Sequence, residues 1–186
     1  MLFIHGVEAA LGEAGMQITK TKLEGVLQIK PEVFEDFRGQ YVETYNEEAY
    51  GKAGITVKFV QDDISVSSRH VLRGVHGDAE TWKLVSCMYG KFYLMVVNCD
   101  KESKSFGQWQ SFVLSDANRL QILIPPKYGN GHVVLSEQAI FHYKQNTYYN
   151  PKGQFTYTWN DPQLKLWWPV KNPMISQRDE LGRFVE

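Results

Sequence analysis

Phe92-Tyr93-Leu94-Met95-Val96-Val97 is an unbroken apolar run between Lys91 and Asn98. Side chains of a strand point alternately to opposite faces, so an apolar run without alternation belongs to a strand covered on both sides. No other feature restricts the fold as tightly. A layer must lie over each face of that strand, which is the arrangement of a β-sandwich or barrel. The run is also far shorter than the ~20 apolar residues that cross a bilayer as a helix.

Around it the chain reads as short strands separated by Gly, Pro, Asn and Asp. Besides residues 91–98, the expected strands are 26–29, 40–44, 58–65, 83–88, 110–114, 120–124, 132–135, 139–147 and 154–159. One short helix is expected, with Asn46 capping residues 47–50 and Gly51 and Gly54 ending it. No repeat, low-complexity tract or linker divides the sequence, and 186 residues at 43% apolar composition suffice for one large core. The expected architecture is all-β with little helix, one domain over residues 16–186. Residues 1–15, rich in Ala and Gly, stand apart as an N-terminal extension, and Met16 can serve as a natural start.

The 20 basic and 21 acidic residues leave a formal charge of −1, with no block of like charge. A nucleic-acid or anionic-membrane surface needs a basic excess on one face, so neither partner is expected. A small anionic substrate is compatible, because a few local arginines hold one. Residues 1–15 lack the basic start of a signal peptide and contain Glu8 and Glu13. Cys87 and Cys99, the only cysteines, sit in apolar strand-like surroundings. They are expected to be buried reduced thiols in a reducing cytoplasm.

The chemistry concentrates in Leu72-Arg73-Gly74-Val75-His76 and in Lys83, seven positions after His76. We expect adjacent strands of one sheet to set this imidazole, ammonium and guanidinium side by side. Proton transfer next to a carbonyl needs such a set: a base for the acidic C–H, a cation for the enolate oxygen and an anchor for the rest of the substrate. Spacing alone leaves a second reading open, that of polar residues scattered over solvated strand faces.

Further motifs follow in order. They are Phe34-Glu35-Asp36-Phe37-Arg38-Gly39, Phe59-Val60-Gln61-Asp62-Asp63-Ile64-Ser65, Phe106-Gly107-Gln108-Trp109, Tyr143-Lys144 with Trp159-Asn160-Asp161-Pro162, and Ile175-Ser176-Gln177-Arg178-Asp179. With residues 72–76 they resemble the nucleotide-sugar 3,5-epimerases typified by dTDP-4-dehydrorhamnose 3,5-epimerase, a metal-independent branch of the cupins. The resemblance spans residues 25–179. It implies a cupin-type jelly roll without metal or other cofactor. The implied reaction inverts C3, C5 or both of a nucleotide-diphosphate-linked 4-keto-6-deoxy sugar through an enolate, in the biosynthesis of a surface polysaccharide or glycoside sugar. It further implies that His76 is the base, Asp179 its partner, Lys83 the enolate-stabilising cation and Tyr143 the proton donor on the opposite face. Tyr148 and Tyr149 are alternatives to Tyr143. Arg38, Gln61 and Arg73 are implied to hold the diphosphate. Tyr41 and Glu43 are implied to lie on a strand exchanged between the subunits of a homodimer. His70 and His142 read as surface or packing residues, and His5 falls in the extension.

The sequence also departs from the family's pattern. The loop after the base is shortened to residues 77–82, Asn130 stands in place of a pocket histidine, His132 in place of an aromatic, and Asp63 in place of an asparagine. These changes keep the proton-transfer groups and alter their surroundings, so an altered substrate is expected. An ionised Asp63 is an acceptor only, which suits the adjacent donors of a guanine edge. The expected substrate is therefore a GDP-linked 4-keto sugar, with a heptose suggested by the altered loop. A dTDP-hexose is the second choice and CDP a third nucleotide. The competing reading of Asp63 is a pairing with Arg38 or Arg73. Alternatives for the whole protein are a sugar-nucleotide 3,4-ketoisomerase, a non-catalytic sugar-nucleotide binder and a metal-dependent cupin. The last is disfavoured because the chain contains no H-x-H pair to place two imidazoles on one strand face.

Overall fold

A computed structural model describes residues 9–11 and 15–183. Most of its strands form two antiparallel sheets. The larger runs, in spatial order, β1 (Ala9–Leu11), β2 (Gln17–Lys20), β3 (Leu27–Lys30), β11 (Gln121–Ile124), β8 (Lys83–Tyr89), β13 (Gln138–Gln145) and β6 (Gln61–Ser68). The smaller runs β10 (Trp109–Ser115), β9 (Lys91–Asn98), β12 (Tyr128–Val134), β7 (Leu72–Gly77) and β14 (Phe155–Thr156). A separate hairpin pairs β4 (Val33–Asp36) with β5 (Gly39–Val42), and two short helices are α1 (Glu47–Lys52) and α2 (Gln177–Glu180).

β9 has the expected bounds, and every residue after Lys91 is buried. Phe92, Leu94 and Val96 face the larger sheet and pack with Val85, Ile122 and Phe141. Tyr93, Met95 and Val97 face the other way, under Tyr157, Leu164 and Trp168 of the C-terminal segment. That segment is irregular and is pinned by polar bonds: Trp168 Nε1 donates to the Trp159 carbonyl at 2.8 Å, and the Tyr93 hydroxyl donates to the Trp167 carbonyl at 2.9 Å. The second cover of β9 is thus a strapped-down loop region, not a further sheet.

β12 begins at Tyr128, four residues before the strand expected at 132–135. Gly129-Asn130-Gly131 has turn composition, yet here the glycines serve close packing. A Cβ on Gly74 (φ +127°) would lie 2.4 Å from the Gly131 Cα, and one on Gly131 would lie 3.0 Å from the Arg73 carbonyl oxygen. β7 and β12 approach so closely that only glycine fits on both sides. α1 is capped as expected, Asn46 Oδ1 accepting from the Ala49 N–H at 3.1 Å, but it continues through Gly51 to Lys52. β6 starts at Gln61 instead of residue 58, and β14 covers only two residues of the expected 154–159. β2 and β4 have no counterpart among the expected strands, because four-residue segments with so many polar side chains carry little periodic signal.

His76 and Lys83 do not lie on adjacent strands of one sheet, as spacing suggested. His76 is on β7 of the smaller sheet and Lys83 on β8 of the larger. Asp78 carries the chain across: its Oδ1 accepts from the Glu80 and Thr81 N–H groups at 2.9 and 2.7 Å, forming a tight turn. The Trp82 N–H then donates to Asn146 Oδ1 at 2.7 Å, docking the crossing on the end of β13.

Within the segment read as an extension, β1 pairs with β2, Ala9 opposite Thr19. Residues 1–8 and 12–14, His5 included, lie outside the described residues. Cys87 and Cys99 are free and buried, and burial pushes both thiols up to about 12. Among the described residues no helix is long and apolar enough to cross a membrane.

Candidate active site

The tight crossing at residues 78–82 sets His76 and Lys83 on facing walls. Between the sheets lies a cavity of about 450 Å³ lined by His76, Lys83, Asn130, Tyr143 and Asp179.

His76 Nε2 lies 2.5 Å from Asp179 Oδ1. An ionised carboxylate only accepts, so Nε2 carries the proton and Nδ1 is left as the basic nitrogen. Asp179 is 2% exposed. Burial alone would raise its pKa, but the bond and charge of His76, the Ser176 hydroxyl and the Gly74 N–H together hold it below its usual value. Ser176 does two things at once. It caps α2 by accepting from the Asp179 N–H at 3.2 Å, and its hydroxyl donates to Asp179 Oδ2 at 2.9 Å. The helix is one turn long, and its purpose in the fold is to present this carboxylate to β7.

Tyr143 and Lys83 come from the opposite wall, on β13 and β8 of the larger sheet. Lys83 Nζ sits 5.9 Å from the centre of the Tyr143 ring and donates to Asn130 Oδ1 at 3.3 Å. Burial lowers the Lys83 pKa, the Asp78 charge opposes the shift and the Arg178 charge adds to it. The Tyr143 phenol is pushed up to about 12, first by burial and then by the charge and hydrogen bond of Asp63. It is therefore a neutral proton donor at physiological pH.

Asp63 is the direct cross-strand partner of Tyr143 in the β6–β13 register. Its Oδ2 accepts from Gln61 Nε2 at 2.8 Å. Neither Arg38 nor Arg73 is its partner, which corrects that reading: Arg38 pairs with Asp36 at 2.6 Å, and Arg73 Nε donates to Ser67 Oγ at 3.0 Å. The carboxylate is engaged by the phenol and by Gln61.

Gln61, Asp63, Arg73 and Asn130 join the four proposed catalytic groups in this cavity, whereas Arg38, Tyr41 and Glu43 do not. They belong to the β4–β5 hairpin and the residue just after it, and the Arg38 side chain is 77% exposed. Tyr149 lines the cavity and Tyr148 does not. His142 packs outside it, bonded to Ser86 Oγ at 2.8 Å, and His70 sits in an exposed turn at φ +67°. Ile64, Ser65, His132, Phe141, Gln154, Ser176 and Arg178 also line the cavity without a role assigned from sequence, and the Arg178 and Gln154 side chains are bonded to each other at 2.9 Å. Arg178 was visible inside the motif ending at Asp179; Gln154 carried no signal. Among the described residues, no three His, Cys, Asp or Glu side chains lie close enough to hold a metal ion.

An imidazole with its carboxylate on one wall, and an ammonium and a neutral phenol on the other, can move protons on both faces of a carbon next to a carbonyl. The family model described as dTDP-4-dehydrorhamnose 3,5-epimerase matches residues 20–186. The chain is 40% identical to the dTDP-4-dehydrorhamnose 3,5-epimerase of Salmonella typhimurium, over 92% of this chain and 96% of that protein. It is 38% identical to the enzyme of the same name from Shigella flexneri, over 92% and 97%. A crystal structure of dTDP-6-deoxy-D-glucose-3,5-epimerase from Legionella pneumophila in complex with dTDP-4-keto-L-rhamnose superposes with a TM-score of 0.87. It is 35% identical and covers 91% of this chain and 92% of that one. The chain belongs to the dTDP-4-dehydrorhamnose 3,5-epimerase family: a carbohydrate epimerase, hence an isomerase, on a cupin-type β fold.

Proposed function

We propose that the protein inverts C3, C5 or both of a nucleoside-diphosphate-linked 4-keto sugar, supplying a surface polysaccharide or glycoside, with His76 and Tyr143 acting from opposite sides of the ring. The observation that carries this reading is the placement of the two groups on facing walls of one cavity. His76 Nδ1 takes the proton next to the C4 ketone, and Asp179 stabilises the imidazolium that forms. Lys83 faces the oxygen on which the enolate charge gathers. Tyr143 gives its phenolic proton to the other face of the same carbon, and solvent restores both groups. Arg73 and Gln61 hold the diphosphate. Arg38, Tyr41 and Glu43 enter the active-site cavity of a second copy, through exchange of the N-terminal hairpin in a homodimer.

The test is incubation with a nucleotide-linked 4-keto sugar in D₂O. Wild type should wash deuterium into C3, C5 or both. His76→Ala should slow turnover by the roughly 10²–10⁴-fold typical of a lost acid–base group. Tyr143→Phe should still exchange the His76-facing proton while forming little inverted product. Inversion at the wild-type rate by Tyr143→Phe would reject the assignment and turn attention to Tyr149. The relatives are named for dTDP sugars, so dTDP is the first nucleotide to titrate, against GDP and CDP.

A further inference from the structure

We infer that the sugar bound in this cavity carries a hydroxyl on the arm at C5, and that His132 selects it. This rests on the epimerase reading and narrows its substrate. His132 lies on β12, two residues beyond Asn130 and so on the same strand face, in the wall of the cavity. Only 3% of it is exposed. Its ring stacks on Phe141 at 4.1 Å and 8°, and tilts against Phe92 at 5.3 Å, so its orientation is set by packing. Nε2 is nonetheless buried with no hydrogen-bond partner among the described residues. A phenyl ring would fill the same aromatic niche without that cost. An orphaned polar atom beside the reacting groups points to a partner that arrives with the ligand.

The chemistry of that partner follows from the state of the ring. Burial, together with the Arg73 and His76 charges, pushes His132 down to about 3, so it is neutral. A neutral imidazole donates through one nitrogen and accepts through the other, and a hydroxyl, which also does both, pairs with Nε2 in either tautomer. The direction of entry decides which hydroxyl. The diphosphate on C1 must point to the mouth, where Arg73, Tyr149 and Arg178 are exposed. C4 is the opposite corner of a pyranose ring, so the ketone and the neighbouring C5 arm enter first. With the ketone beside Lys83 and Asn130, the arm meets the next side chain on that face of β12, which is His132. A plain methyl there leaves Nε2 unpaired; a hydroxyalkyl arm satisfies it.

The experiment compares two nucleotide-linked 4-keto sugars, one with a methyl and one with a hydroxyalkyl group at C5, following deuterium wash-in from D₂O by NMR. Wild type should favour the hydroxyalkyl sugar in kcat/KM by about tenfold or more. His132→Phe should bring that ratio close to one, and His132→Gln, which keeps a donor and an acceptor, should retain part of it. The Gln variant carries the test if the Phe variant does not fold. A wild-type preference for the methyl sugar, or a ratio unmoved by either substitution, overturns the inference and leaves the epimerase reading standing. No wash-in from either sugar overturns both.

Discussion

Asp63 shows how much one carboxyl oxygen changes when its neighbour is a phenol. Facing Tyr143 across the β6–β13 pair, it opposes phenolate formation and reinforces what burial already does. Asp63→Asn removes the charge, so the Tyr143 phenol should titrate below its value of about 12 while burial keeps it above the ordinary 10.0. Ultraviolet difference titration of Asp63→Asn against wild type, with Tyr143→Phe as the reference, reads that one tyrosinate. A titration unchanged by the substitution would remove Asp63 from the phenol's surroundings. His76, Tyr143 and Asp179 were legible as chemistry because each sits in a motif, and Lys83 because it follows His76 by seven positions. The pairing of Asp63 with Tyr143 was not, since it joins positions 80 residues apart and depends on strand register.

Among the elements, β6 and the β4–β5 hairpin carry more exposed apolar surface than a monomer needs. β6 is the edge of the larger sheet, with Ile64 64% and Val66 49% exposed, and Phe37 at the hairpin tip is 98% exposed. An unpaired edge with apolar side chains is a surface that another chain covers. Wild type should therefore sediment as a dimer. Val66→Lys on the outer face should shift the equilibrium toward monomer and lower activity with it, because Arg38 and Tyr41 then reach no active-site cavity. A monomeric wild type with full activity would exclude hairpin exchange. The hairpin's motif was readable from residues 34–39, but the exposure of Phe37 and Arg38 was not, since nothing local in the motif says what packs over them.

On the scale of the whole molecule, the buried polar groups make the fold sensitive to acid. His132 has a pKa of about 3 when folded against an ordinary 6.5, so the unfolded chain binds its proton first. Stability must fall as pH drops from 6.5 toward 3. Asp179 is shifted in the same direction, with the same sign. Its folded pKa lies below 3.8, so its contribution is present above that value and is lost as pH falls through the folded one. Urea unfolding at pH 7, 5.5 and 4.5 should show a shallower loss for His132→Phe than for wild type, and parallel losses would contradict the buried neutral imidazole. The sequence by itself determined the layered all-β fold, because an apolar run such as 92–97 cannot be left uncovered. It also made His76, Tyr143 and Asp179 readable as candidate chemistry, because their motifs are local. Only the tertiary structure decided that His76 and Lys83 face each other from different sheets, that a C-terminal strap covers β9, and that His132 is held neutral and unpaired. Each of these depends on which distant strand lies alongside, a matter settled by packing and close glycine contacts over the whole chain and not by any short stretch of it.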